Sequence, residues 1–161
     1  MNPMCPLIVV SCLAVLLSLG ACGPKLPSGV NSQALDDAVA HAIGSPSTCV
    51  LVAQASDGKL IYRYGSNTVC ARSINACDRP GLTTAQTELD LSRSTGAVRT
   101  ASCDTAEGAS RGVAWAAGPL PALPGKADRK MVYSAFMEGP EALSGREAKL
   151  RLEQAFARAG F

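Results

Sequence analysis

Residues able to do chemistry are sparse in this chain, and their spacing decides what they can do. Ser56-Asp57-Gly58-Lys59 places a hydroxyl three residues ahead of an amine. On a helix that spacing would hold the lysine one turn from the serine, near enough to take its proton. Here it spans Asp-Gly between two apolar runs, a hairpin signal rather than a helix start, so the match is accidental. His41 is the only histidine. It sits beside the apolar stripe of a helix without a recognisable serine partner, so a Ser-His-Asp set does not assemble, and two-His metal motifs are excluded. Asp36 and Asp37 are adjacent and cannot face each other on a helix. Glycine-rich phosphate loops are missing. The reading is therefore no catalytic set, no metal and no cofactor.

Seven cysteines remain to be explained. Cys5 and Cys12 belong to a segment in which Leu7 to Leu19 is apolar apart from Ser11, Cys12 and Ser18. About thirteen residues make a helix of roughly 20 Å, short of the ~30 Å hydrocarbon core, so a signal-peptide core fits better than a membrane span. The run ends in Leu19-Gly20-Ala21-Cys22, which resembles the lipobox of bacterial lipoproteins. That resemblance implies a signal peptide over residues 1–21, acylation of Cys22 as the mature N-terminus, and anchoring by several acyl chains at ~0.8 kcal/mol per buried CH₂. Gly23, not Asp, follows the cysteine, which in the same family implies sorting to the outer membrane with the domain facing the periplasm. Residues 22–31 then form a lipidated tether of linker composition, and its nine residues after Cys22 reach at most ~30 Å. Residues 32–161 form a single domain.

Four cysteines are left in the exported part: Cys49, Cys70, Cys77 and Cys103. An even number in an oxidising compartment reads as two disulfides. Cys70 and Cys77 flank a short irregular stretch and are the first choice of pair, leaving Cys49 with Cys103; closing the small loop should contribute roughly 2–3 kcal/mol. Zinc is the competitor, but there is no C-x-x-C pair and the one histidine is remote.

The elements that would carry these residues follow from composition and period. At 47% hydrophobic the chain is an ordered protein. Its 15 basic and 13 acidic residues give +2 without a basic run, which argues against nucleic acid as a partner. Ser32 can cap a helix with apolar positions Leu35, Val39, Ala42 and Ile43, ended by Gly44 and Pro46. Cys49 to Ala55 is apolar nearly throughout, as a strand covered on both faces would be. Asp57-Gly58 predicts a type I′ turn into Leu60 to Gly65, with Leu60, Tyr62 and Tyr64 on one face. Residues 66–98 are weakly patterned; Thr84 to Arg93 can form one short helix around Leu89.

Strands are predicted at Val98 to Cys103, at Gly112 to Ala117 and at Met131 to Met137. The small residues of the second suggest a helix lying close upon it. Gly118 to Gly125 carries too many prolines for regular structure and reads as a stiff connection. Ser144-Gly145-Arg146-Glu147 is a capping box for a helix carrying Ala148, Leu152, Ala155, Phe156 and Ala159, stopped by Gly160.

That order of elements, with Ser110-Arg111-Gly112-Val113-Ala114-Trp115 and the capped last helix, resembles the α/β domain of serine β-lactamases and penicillin-binding transpeptidases. The resemblance implies an α+β fold: one five-stranded antiparallel sheet, with the N- and C-terminal helices packed together on one face. The helical insertion after the second strand is largely missing here, which would leave the other face vacated. The family's nucleophile position reads Ala76-Cys77-Asp78-Arg79-Pro80-Gly81 and holds neither the serine nor the lysine. No S-D-N occurs. Arg99-Thr100-Ala101 stands where the family has K-T-G, and Arg111 matches an arginine that helps to hold a substrate carboxylate, so Arg99, Thr100 and Arg111 form a possible remnant ligand site.

The expectation is an envelope lipoprotein with a non-catalytic core, binding a protein partner or peptidoglycan while tied to the membrane by its lipid. The alternative is a weak serine- or threonine-type hydrolase acting on peptidoglycan or β-lactams through Thr100 or Ser102. A small binding module of profilin-like outline shares the helix–hairpin–strands order.

Overall fold

The structure, a computed structural model, describes residues 26–105, 112–123 and 130–161. The expected signal segment, Cys22 and Arg111 lie outside them. Along the chain run α1 (Ser32–Ile43), β1 (Cys49–Gln54), β2 (Leu60–Tyr64), the single-turn α2 (Asn67–Cys70), and the two-residue strands β3 (Ile74–Asn75) and β4 (Leu82–Thr83). These are followed by α3 (Ala85–Thr95), β5 (Arg99–Asp104), β6 (Gly112–Pro119), β7 (Met131–Gly139) and α4 (Gly145–Arg158). Five strands form one antiparallel sheet in the order β2-β1-β7-β6-β5, and β3 pairs with β4 apart from it. The α+β class and the five-stranded antiparallel sheet are as expected.

The pleat sorts the side chains into two cores. Val50 and Val52 of β1, Tyr133, Ala135 and Met137 of β7 and Ala116 of β6 meet Leu35, Val39 and Ile43 of α1 and Leu152 and Phe156 of α4. Cys49, Leu51, Ala53, Val113, Trp115, Val132 and Phe136 point the other way, onto Ile74, Ala85 and Leu89. Period-2 alternation between two covered faces explains why β1 and β7 read as unbroken apolar runs. Each large side chain buried this way contributes roughly 1.5–3 kcal/mol.

The cap of α1 lies one residue earlier than expected. Asn31, in extended conformation, caps the helix by accepting from the Ala34 amide at 3.1 Å, and Ser32 is its first residue. At α4 the Ser144 hydroxyl accepts from the Glu147 amide at 3.2 Å, while the Glu147 carboxylate pairs forward with Arg151 at 2.7 Å, so the capping box is half formed. The small residues of β6 do lie under a helix. A Cβ on Gly145 would stand 2.5 Å from the Ala101 carbonyl oxygen and 2.7 Å from that of Trp115, so α4 begins directly on the backbone of β5 and β6.

Several details of the hairpins and loops differ from expectation. Gly58 has φ +72 but Asp57 is not in the left-handed region, so the turn is not type I′. The connection is longer: the Gly58 amide donates to Gln54 O and the Gln54 amide to Lys59 O, both at 3.0 Å. A register shift between Val52 and Ala53 leaves Ile61 as an extra residue in β2. A bulge of this kind reverses the facing of the residues on either side of it, so Leu60 joins the α3-side core while Tyr62 and Tyr64 pack on the α1/α4 side. β6 runs on through Gly118 to Pro119, whose missing amide is tolerated at a strand end. The chain also joins the α1/α4 core earlier than the expected tether boundary, since Leu26 and Val30 pack against it.

The face expected to be vacated is filled. Residues 66–98 cross it as α2, the β3–β4 pair and α3, and Ile74, Ala85 and Leu89 are each at most 4% exposed. A sheet face carrying Leu51, Val113, Trp115 and Phe136 cannot stay bare in water, and one short helix with a strap beside it is enough to cover it. The predicted helix around Leu89 is α3. Thr84 caps it by accepting from the Thr87 amide at 3.1 Å, and Gly96 ends it in left-handed conformation.

Candidate functional site

The residues singled out on β5 separate once the strand is built. Arg99, Ala101 and Cys103 turn to the α3 side, whereas Thr100, Ser102 and Asp104 alternate outward and are exposed. Arg99 and Thr100 therefore do not share a face, and Arg111 lies outside the described residues.

Arg99 is already occupied. Its guanidinium donates to Glu88 Oε2 at 2.9 Å and to Asp78 Oδ2 at 2.5 Å, and its Cζ stands 5.2 Å from the centroid of the Trp115 ring. Arg79 approaches the same two acids, donating to Glu88 Oε1 at 2.5 Å and to Asp78 Oδ1 at 2.8 Å. The Thr83 hydroxyl donates to Glu88 Oε1 at 2.5 Å. Two arginines and two carboxylates close a neutral quartet whose centre, the Glu88 side chain, is 3% exposed. The hydrogen bond to Glu88 pushes the Arg79 guanidinium above its ordinary range, against the smaller opposing effect of burial. A carboxylate so deeply placed must find cations, and these two arginines are what it finds.

The quartet ties the segment after α2 to the sheet, and further bonds do the same. The Trp115 indole donates to Ala76 O at 2.7 Å, and the buried Ser134 hydroxyl of β7 donates to Ala85 O at 2.7 Å. Disulfides join Cys49 to Cys70 and Cys77 to Cys103. All four cysteines expected in bridges are in bridges, but the pairing differs from the expectation of Cys70–Cys77 and Cys49–Cys103. The stretch between Cys70 and Cys77 is not a closed loop: Ile74 and Asn75 are extended and paired with Thr83 and Leu82, which carries Cys77 away towards β5. Cys70, at the end of α2, turns back to the start of β1 instead.

The other chemical candidates are scattered. Ser56 and Lys59 lie in the hairpin connection, where the Lys59 amide donates to Asp57 Oδ1 at 2.9 Å. His41 is exposed on the last turn of α1. Asp36 accepts from the Tyr62 hydroxyl at 2.8 Å, and Asp37 from Gln33 at 2.9 Å. Burial first, then the neighbouring Asp36 carboxylate, pushes the Tyr62 phenol well above its usual value; Tyr133 is raised in the same way by burial and Glu153. Among the described residues no group of three His, Cys, Asp or Glu side chains could hold a metal ion.

What remains near the expected site is an open groove of about 340 Å³ where the ends of β5 and β6 meet the start of α4, lined by Ser102, Asp104, Val113, Ala142 and Ser144. It offers hydroxyls, a carboxylate and apolar wall. Among the described residues no imidazole or amine is hydrogen-bonded to Thr100 or Ser102.

Sequence reasoning missed Asp78, Arg79 and Glu88. A signal for the last was present: Ala85, Glu88, Leu89 and Ser92 make the buried stripe of α3 at i, i+3, i+4, i+7, and an acid within such a stripe requires partners. Compared with known proteins, the chain matches no family, no curated protein and no solved structure.

Proposed function

We propose that the protein is an envelope lipoprotein, acylated at Cys22 and directed to the outer membrane. Its domain is a reduced relative of the β-lactamase and transpeptidase core, serving as a non-catalytic binding module for an envelope protein or peptidoglycan. The observation that carries this reading is the state of Arg99. The cation standing where the family has the lysine of K-T-G is here spent on Glu88 and Asp78 and stacked on Trp115. The cation is thus a fastening of the fold, and its strand neighbour Thr100 faces away from it. The pairing of first and last helices on one sheet face, and the short segment between β2 and β5, also agree with such a reduction. Recognition then falls to exposed polar surface, for which the groove beside Ser102 and Asp104 has the right chemistry: hydrogen-bond donors and acceptors on an apolar floor.

The test uses the purified mature chain with a fluorescent penicillin and, separately, with muropeptides by calorimetry. We expect no covalent adduct, and saturable binding of a muropeptide or of one envelope protein that Asp104→Asn weakens. A stoichiometric penicillin adduct would overturn the reading in favour of a hydrolase, and Thr100→Ala and Ser102→Ala would then locate the nucleophile. Unaltered membrane fractionation of Cys22→Ser would reject the lipid anchor.

A further inference from the structure

β5 closes one side of the five-stranded sheet, and Gly145 reveals which of its residues face the open edge. A Cβ there would stand 2.5 Å from the Ala101 carbonyl oxygen and 2.7 Å from that of Trp115, the residue paired with Ala101. One point so near both oxygens puts both carbonyls between the two strands, so Ala101 and Trp115 exchange their main-chain bonds. Bonding direction alternates along an antiparallel strand, so Arg99, Ala101 and Cys103 turn their amides and carbonyls to β6. Those of Thr100, Ser102 and Asp104 face outward. Among the described residues they meet no backbone partner there, and the three side chains are exposed and unpaired.

Native sheets guard such rows with bulges, prolines, lysines or a covering segment. β2, at the other edge, has the bulge at Ile61. β5 keeps unbroken register over its six residues and contains neither proline nor lysine. Its one cation, Arg99, is turned onto Glu88 and Asp78. The strap reaches β5 through side chains on the α3 face, by the Cys77–Cys103 bridge and the Asp78–Arg99 pair. A regular, polar and unguarded edge of this kind is a pairing surface.

The order of residues along the edge selects the partner. Thr100 and Asp104 stand symmetrically about Ser102. Laid antiparallel on a second copy of itself about that residue, β5 sets Ser102 opposite the partner's Ser102 and Thr100 opposite the partner's Asp104. All of these are outward-facing positions, so every free amide meets a free carbonyl. Each carboxylate stands opposite a hydroxyl able to donate to it, and no like charges meet. We propose that the chain forms a two-fold dimer through β5, with one antiparallel sheet running through both copies. Such an isologous contact closes on itself, so the edge is used up and does not propagate. An axis normal to the sheet keeps the α4 faces on one side, and the two grooves beside Ser102 and Asp104 then open next to each other. The dimer goes beyond the binding role proposed above and does not depend on acylation of Cys22.

The test is sedimentation of the full chain in density-matched detergent over a range of concentrations. The wild type should sediment as a concentration-dependent dimer. Ser102→Pro removes the two amides at the axis and none that β6 uses. It should raise the dissociation constant roughly tenfold or more, while the disulfides and circular dichroism stay those of the wild type. Ser102→Lys keeps the amide but sets two ammonium groups opposite each other. It should weaken the dimer as well, and it decides the matter if the proline variant fails to fold. A wild type that stays monomeric at every concentration, including one that takes an extended peptide of another protein instead, overturns the proposal. So does a dimer that neither variant weakens.

Discussion

The two faces of the sheet are held by different physics. On one, α1 and α4 bury a continuous apolar core with Leu35, Val39, Leu152 and Phe156 at most 1% exposed and no covalent tie. On the other, α3 and the strap before it bury fewer large side chains and add two disulfides, a charged quartet and two buried side-chain-to-backbone bonds. The first face is secured by area removed from water. The second compensates for a short, irregular cover by limiting what the unfolded chain can do and by directional bonds. A thin layer can cover a sheet if it is fastened at several points.

That contrast can be broken most strongly by removing both disulfides as serine pairs. Each closes a separation of 21 or 26 residues, so each should contribute about 3 kcal/mol, and their joint loss about 6 kcal/mol. Hydrogen exchange should then show α3 and the strap unprotected well before α1 and α4. Simultaneous loss of protection on both faces would erase the distinction.

Leu152→Ala addresses the other face. It should cost about 3–4 kcal/mol in urea unfolding and lower protection throughout, since no tie remains there to localise the damage.

Glu88→Ala sharpens the comparison from the ionic side. Two arginines about a third exposed lose their buried partner, and a loss of about 2–3 kcal/mol is expected, with less for Glu88→Gln, which keeps an acceptor. The smallest effect concerns Tyr62. Burial and Asp36 raise its phenol above the ordinary 10.0, so in the folded state it keeps a proton that the unfolded state releases. The associated stability is complete below pH 10 and declines as pH rises beyond it. Tyr62→Phe should therefore cost about 1 kcal/mol at neutral pH and flatten the alkaline fall of the urea midpoint.

The same division governs how much of the molecule was legible in the sequence. Leu35, Val39 and Ile43 announce α1 by their spacing, and the unbroken runs of β1 and β7 announce strands covered twice, because these patterns are local and periodic. The strap is not periodic. Its order depends on Cys70 turning back to Cys49, on Cys77 reaching Cys103, and on Arg99 meeting an acid eleven residues earlier. Local closeness favoured Cys70 with Cys77, and only the extended pairing of Ile74 and Asn75 separates them. Arg99 and Thr100 were legible as a cation and a hydroxyl on a strand. Their opposite facing followed from the pleat, but the commitment of Arg99 to Glu88 required knowing which face α3 covers.

Under the export proposed above, the order of the bridges bears on how they form. Along residues 32–161 Cys49 is joined to the next cysteine, and Cys77 to the one after it, so the two bridges neither cross nor nest. A polypeptide threaded out of the cytoplasm amino end first would present Cys70 to Cys49 before Cys77 had emerged. With Cys22 acylated as proposed and the residues before it removed, oxidation in simple order of arrival then yields the native pairs.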